Sequence, residues 1–211
     1  MRIYWSCVAI ASIVLTVLIG LTFYIETADH PFPPEKIPLV HESVVNIDRI
    51  CSGAIIQEGL IVTAAHCVQD RGRIGVTFYD FQFGDFELIY IGELGGPEDY
   101  ALLRGNTRGL KALPLTNAEP NFLAGIMHYG YSGSIHQWLT AGLYLGYFCN
   151  PRQCETYLSV RTIPGDSGGV VVNLNNEVIG IVYSSYWPIN VGLSMMVPAE
   201  IIIDKIKELG L

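Results

Sequence analysis

The chain has 211 residues, half of them hydrophobic, with 12 Lys and Arg against 20 Asp and Glu and a formal net charge of −8. With that acidic balance and no cluster of Lys or Arg, nucleic acid is excluded as an expected partner, and the charge otherwise speaks to solubility. Beyond the first apolar segment about 180 residues remain, enough for one domain, and no solenoid-type repeat or low-complexity tract divides them.

From Ile3 to Ile25 the chain is apolar and uncharged. At 1.5 Å per residue that run is long enough to cross a hydrocarbon layer of about 30 Å. Arg2 precedes it and Glu26 and Asp29 follow, so the positive-inside bias puts the N-terminus in the cytoplasm and the remainder outside. Residues 1–26 are therefore expected to form a single-pass membrane anchor or signal-anchor. A cleaved signal peptide, which would release a secreted form, is the rival, but its apolar region is normally shorter and no small-x-small cleavage site follows here. Residues 27–40, with Pro31, Pro33, Pro34 and Pro38, read as an extended linker, and residues 41–211 as the folded domain.

Within that domain, Leu60 to Cys67 is an apolar run that narrows to Ala64 and Ala65 just before His66, which places an imidazole at a strand end. Asp99 immediately precedes Tyr100-Ala101-Leu102-Leu103, a short run with the character of a buried strand. Each has a plainer reading, His66 as a packed strand-end histidine and Asp99 as a turn-capping aspartate. Glu98 competes with Asp99, though the following Tyr-Ala-Leu-Leu run favours Asp99. Segments Ile74 to Phe78, Phe86 to Ile91, Thr156 to Val160 and Val178 to Tyr183 are short, rich in β-branched and aromatic residues, and separated by Gly, Pro and Asn. That spacing predicts an all-β domain.

Ile163-Pro164-Gly165-Asp166-Ser167-Gly168-Gly169 holds a serine between glycines with a carboxylate before it. Such a serine suits an acyl-transfer nucleophile: the amides of Gly165 and Ser167 form a candidate oxyanion hole, and Gly168 and Gly169 remove side chains that would crowd the hydroxyl. A glycine-rich turn whose serine bonds its own backbone is the alternative. A serine nucleophile needs a general base, and the five histidines, His30, His41, His66, His128 and His136, all precede Ser167. That order excludes the α/β-hydrolase reading, in which histidine follows serine, and leaves a His, Asp, Ser order open. At the C-terminus Ile202, Ile206 and Leu209 fall on one face of a predicted helix whose other face carries Asp204, Lys205 and Glu208.

Thr63-Ala64-Ala65-His66-Cys67, Asp99-Tyr100-Ala101-Leu102-Leu103 and Gly165-Asp166-Ser167-Gly168-Gly169 resemble the histidine, aspartate and serine boxes of the chymotrypsin/trypsin-like serine peptidases, in that family's order. Cys51 to Ile56 resembles the strand before the histidine box. Gly169 to Val182 and Gly192 to Pro198 resemble the hairpin and last strand of HtrA-type and viral members, so the likeness spans residues 50 to 209. It implies two six-stranded antiparallel β-barrels with a cleft between them, closed by a C-terminal helix. With Leu211 as the last residue, no peptide-binding module is expected after the protease domain.

The resemblance also implies a bond between Cys51 and Cys67, and Cys149 with Cys154 makes a second expected pair, while Cys7 lies in the apolar segment. The first closes a loop of about 15 residues, worth roughly 3 kcal/mol in the chain-entropy model. Disulfides suit an oxidising compartment, in agreement with an extracytoplasmic domain. The spacing of these four cysteines lacks a zinc rhythm, so no metal is expected.

For the site, the resemblance implies a triad of His66, Asp99 and Ser167 acting without cofactor. It puts Arg161 near the floor of the primary specificity pocket, where a cation would favour an acidic substrate side chain; the competing reading has Arg161 pointing outward or pairing with Asp166. Thr162 becomes a pocket wall, although Val182 stands where glutamate-selective relatives carry histidine. Val182, Tyr183 and Ser184 become the edge strand that pairs with substrate backbone, with Gly192 and Ser194 on the opposite wall. Digestive members hold the aspartate before the serine with a freshly cleaved amino terminus, yet no Ile-Val-Gly-Gly precedes Cys51. Either another group satisfies Asp166 or the oxyanion hole stays disordered until substrate binds. The expected function is a membrane-anchored serine endopeptidase acting on protein or peptide substrates, its oligomeric state unspecified. The alternative is a catalytically silent or latent module that binds peptides or partner proteins.

Overall fold

A computed structural model describes residues 37–69, 71–134, 136–149, 151, 153–185 and 192–211. The expected membrane anchor at 1–26 and most of the 27–40 linker lie outside the described residues. Among those described, no helix is long and apolar enough to cross a membrane.

The described chain opens on a short helix, α1 (Ile37–Ser43), followed by β1 (Val44–Ile47), β2 (Cys51–Gln57), β3 (Leu60–Thr63), β4 (Arg73–Thr77), β5 (Phe83–Ile91) and β6 (Ala101–Arg104). These six strands close into a barrel in the order β1-β2-β3-β6-β5-β4. A second barrel is built from β7 (Gly125–Gly130), β8 (Trp138–Cys149), β9 (Cys154–Leu158), β10 (Val170–Val172), β11 (Val178–Ser185) and β12 (Ser194–Pro198), in the order β10-β11-β12-β9-β8-β7. Helix α2 (Ala199–Glu208) ends the fold. Closure removes free sheet edges, which an open six-stranded sheet would expose to other chains.

Burial explains which strands read as continuous apolar runs. All four residues of β1 are buried, as are the first six of β2. One face of these strands lines the first barrel and the other meets β7 and β10 of the second. Strands covered on both faces lose the alternation that a half-exposed strand shows, as β5 does with its mixed burial. Ile55, Ile61, Ile74, Leu102, Leu103, Phe78 and Phe86 are fully buried in the first barrel. Ile126, Tyr144, Leu158, Val160, Val171, Ile179, Val182 and Met196 form the core of the second. Each such side chain stabilises the fold by about 1.5–3 kcal/mol relative to exposure. Register shifts at Ile55/Gln57, Leu88/Tyr90 and Tyr144/Gly146 mark bulges, which bend strands enough to close a barrel.

Two expectations are corrected in detail. The linker does not stay extended to residue 40: α1 begins at Ile37, and Val40 is wholly buried. Pro38 is compatible with that helix because a proline in the first turn forfeits an N–H that has no intrahelical partner. At the other end Ile202 is buried and Ile206 half-buried, but Leu209 is 41% exposed. The helix stops at Glu208, and the Leu209 amide still donates to the Lys205 carbonyl at 3.0 Å.

Candidate active site

His66 sits on a single 3-10 turn, Ala65–Cys67, directly after β3. The neighbouring Cys67 is bonded to Cys51 at the start of β2, with Cα atoms 6.1 Å apart, so the turn is tied at both its strand and its disulfide. Asp99 immediately precedes Tyr100 and β6, which pairs with β3 from Thr63↔Ala101 onward. That register brings the aspartate beside the histidine turn. The His66 backbone amide donates to Asp99 Oδ1 at 3.0 Å, and His66 Nδ1 lies 3.0 Å from Oδ2 and 3.1 Å from Oδ1. The Gly95 amide adds a third donor at 2.8 Å.

Asp99 is only 3% exposed by side chain, whereas His66 is 36% exposed. Burial alone would push the Asp99 carboxyl up, but the His66 ring, the Gly95 amide and the His66 amide outweigh it and hold the carboxyl below its ordinary value. An ionised acceptor on Nδ1 fixes the tautomer with Nδ1–H and leaves Nε2 as the open base.

Ser167 is carried in the turn before β10. The Ser52 amide donates to the Ser167 carbonyl at 2.8 Å, the Gly168 amide to Val182 at 2.7 Å, and the Val182 amide to Gly169 at 2.9 Å. Gly168 adopts φ +80°, and a Cβ there would lie 2.1 Å from the Ser52 carbonyl oxygen, 2.5 Å from Thr63 Oγ1 and 2.8 Å from the Ala64 amide nitrogen. Only glycine permits this approach. It sets the serine turn of the second barrel against the end of β3, three residues before His66.

Gly165 is buried with φ 103°, and its carbonyl accepts from Ser52 Oγ at 2.7 Å. Among the described residues its amide N–H and that of Ser167 are engaged in no hydrogen bond, which suits a pair of donors kept for a ligand oxygen. Likewise His66 and the Ser167 hydroxyl are not hydrogen-bonded to each other; such contacts often tighten only in the substrate complex.

Asp166 is buried beside this turn and has found partners of its own. It accepts from Ser132 Oγ at 2.5 Å and from the Ile163 amide at 2.8 Å. A side-chain hydroxyl and a backbone amide therefore occupy the place of the amino terminus found in digestive peptidases.

The structure places the remaining candidates unevenly. Thr162 and Ser194 are both buried and joined hydroxyl to hydroxyl at 2.8 Å, with Ser194 also bonded to the Val160 carbonyl. Arg161 is exposed and pairs with neither Asp166 nor another carboxylate among the described residues. Val182 is corrected as a backbone-pairing residue: its N–H and C=O are already bonded to Gly169 and Gly168. Tyr183 is buried and donates to Glu155 Oε1 at 3.2 Å, so its side chain faces inward. Ser184 is half-buried on β11, and Gly192, half-buried at φ +74°, follows residues outside those described.

The second disulfide, Cys149–Cys154, joins the ends of β8 and β9. Cys51, His66 and Cys67 lie close enough together to hold a metal ion, but the two sulfurs are bonded to each other and offer no thiolate. Sequence reasoning missed Ser52 and Ser132, whose partners lie 113 and 34 positions away. Neither carries a local signal, since only the fold brings them to the serine turn.

A family model described as "Trypsin-like peptidase domain" matches residues 51–181. Among curated proteins, the chain is 28% identical over 184 residues to serine protease HTRA2, mitochondrial, of Bos taurus, covering 81% of this chain and 36% of that protein. It is 29% identical over 160 residues to serine protease HTRA1 of Xenopus tropicalis, covering 71% and 34%. The chain thus spans about a third of the length of these relatives. Among solved structures, the serine endoprotease of Yersinia pestis superposes with a TM-score of 0.69 at 22% identity, over 83% of this chain and 65% of that one. The Rv3671c protease of M. tuberculosis, in an inactive form, gives 0.67 at 20%, over 84% and 93%. At these identities the structural likeness establishes the fold.

Proposed function

The chain belongs to the trypsin-like peptidase family, and from that premise we propose that it is a serine endopeptidase whose triad is Ser167, His66 and Asp99. The observation that carries this reading is the Asp99 carboxylate on His66 Nδ1, 3.0 Å away, beside a serine turn whose Gly165 and Ser167 amides are free among the described residues.

The chemistry follows from the geometry. Ser167 Oγ attacks the substrate carbonyl carbon while His66 Nε2 takes its proton, and Asp99 stabilises the imidazolium that forms. The carbonyl oxygen gains negative charge and is received by the Gly165 and Ser167 amides. His66 then gives the proton to the leaving amine, and water, activated by the same nitrogen, hydrolyses the acyl-enzyme. These steps balance without a metal or organic cofactor.

Because Gly168 and Gly169 occupy the backbone of Val182, substrate pairing is assigned to Ser184 and beyond, where β11 has run past β10. The hydrogen bond between Thr162 and Ser194 supports their reading as facing pocket walls. The apolar run from Ile3 to Ile25 supports attachment to a membrane, and the two disulfides support an extracytoplasmic protease domain. The test is digestion of a proteome-derived peptide library with mass-spectrometric mapping of cut sites. Cleavage by the native chain that vanishes in Ser167→Ala supports the reading; identical maps for both proteins overturn it.

A further inference from the structure

His128 lies on β7, opposite Val171 of β10 and Thr140 of β8, and is 1% exposed. Neither ring nitrogen has a hydrogen-bond partner among the described residues. A buried polar group left unpaired costs about 1–3 kcal/mol, so an orphaned imidazole calls for an explanation. Its surroundings supply one. A Cβ on Gly169 would fall 2.5 Å from His128 Nε2, and a Cβ on Gly130 would fall 3.1 Å from His128 Cε1 and 2.9 Å from Asp166 Oδ1. The ring therefore lies against Gly169, two residues after Ser167, and its Cε1 edge shares the space at Gly130 with the Asp166 carboxylate.

We propose that His128 is a positioning residue for the serine turn: neutral, it leaves Asp166 to Ser132 and Ile163, and protonated, it draws the Asp166 carboxylate to itself and opens the turn that presents the Gly165 amide. This rests on the endopeptidase reading of Ser167. The carboxylate has two competing seats. In the present one it binds the Ile163 amide and the Ser132 hydroxyl, closing the 163–166 turn that the Asp166 amide completes on the Ile163 carbonyl. In the other an imidazolium N–H donates to it, at the expense of the Ile163 bond.

Asp166 is the charged group that faces His128 among the described residues. Val171 and Thr140, paired across from it, are uncharged, and Ser52 reaches the shared space with its hydroxyl committed to the Gly165 carbonyl and the Tyr131 amide. Burial favours the neutral ring most strongly, while the Asp166 charge and its backbone carbonyl, which faces the ring outside hydrogen-bonding geometry, oppose this in part. The neutral seat is thus the resting one, and acid selects the other.

The test is the rate of fluorophosphonate labelling of the full chain between pH 4.5 and 8.5, for the native protein, His128→Phe and Ser132→Ala. Protonation of His128 makes the native rate fall on the acid side more steeply than the tenfold per pH unit of a single protonation, by close to a hundredfold. His128→Phe falls tenfold per unit, and Ser132→Ala moves the second step to higher pH because a competitor for Asp166 is gone. A native rate that falls tenfold per unit and is unmoved in Ser132→Ala overturns the proposal. NMR of the His128 ring in Ser167→Ala provides a readout independent of activity and of whether His128→Phe folds. Titration of that ring that also shifts the Ile163 amide supports the second seat, and a ring that stays neutral to pH 4.5 overturns it. Absence of labelling at every pH would defeat the endopeptidase reading, and the NMR result would still decide the role of His128.

Discussion

The Ser52 amide donates to the carbonyl of Ser167 at 2.8 Å, while the Ser52 hydroxyl donates to Gly165 at 2.7 Å and accepts from the Tyr131 amide at the same distance. One residue of the first barrel thus holds the serine turn of the second through both its main chain and its side chain. The next strand adds to the same junction, since Thr63 Oγ1 donates to the Ser52 carbonyl at 2.6 Å. Because β2 is also tied to the His66 turn by the Cys51–Cys67 bond, the proposed base and nucleophile are positioned from one short stretch of chain.

Ser52→Ala keeps the main-chain bond and strands two buried partners, the Gly165 carbonyl and the Tyr131 amide. Leaving such groups unpaired costs about 1–3 kcal/mol. We expect a lower unfolding midpoint in urea together with slower labelling of Ser167, because the Gly165 peptide belongs to the proposed oxyanion hole. Unchanged labelling in a destabilised variant would separate the junction from catalysis.

Gly168→Ala places a methyl group 2.1 Å from the Ser52 carbonyl in a backbone with φ +80°. The turn must retreat from the first barrel, and a residue held in such a region costs about 1–3 kcal/mol even without the clash. Activity is expected to fall at least a hundredfold while circular dichroism retains the β signature. Retained activity would show that the close approach is dispensable.

The Asp99 carboxyl is held below its ordinary value of 3.8, so its contribution to stability is complete above about pH 4 and is lost as pH falls through the lower folded-state value. Asp99→Asn should flatten the pH dependence of stability in that acid window, measured by urea unfolding. It should also lower kcat by about ten-thousand-fold, the loss typical when the histidine tautomer is no longer fixed. A stability profile identical to that of the native chain below pH 4 would contradict the assignment.

Replacing Cys51 and Cys67 together by alanine removes a closure over 16 positions, worth roughly 3 kcal/mol. The cost should appear both in unfolding and in labelling, because Cys67 adjoins His66. The corresponding change at Cys149 and Cys154, which spans only 5 positions, should reduce stability less.

How much of this was legible in the sequence depended on whether the determinant was local. Three boxes carry local chemistry, small residues before His66, a carboxylate before a buried run, and glycines around Ser167, and the fold sets them on neighbouring turns. The strands read from Ile74, Phe86, Thr156 and Val178 are present as β4, β5, β9 and β11. By contrast, β8 runs through Gly142 and Gly146 with a largely exposed apolar row, so it shows no clean alternation. The Ser132 partner of Asp166, and the orphaned His128, are brought to the serine turn from 34 or more positions away. Val182 resembles an edge residue in sequence, yet the fold uses its backbone to hold Gly168 and Gly169. Pro38, set in a proline-rich tract, disguised the first turn of α1.

The central claim is that Ser167 is a nucleophile activated by His66 and Asp99. Its most direct test is the intact mass of the chain after fluorophosphonate treatment at pH 8, for the native protein, Ser167→Ala and His66→Ala. One adduct is expected on the native chain, mapped to Ser167, and none on either variant. A folded, disulfide-bonded native chain that takes no adduct, or one labelled equally in His66→Ala, would contradict it.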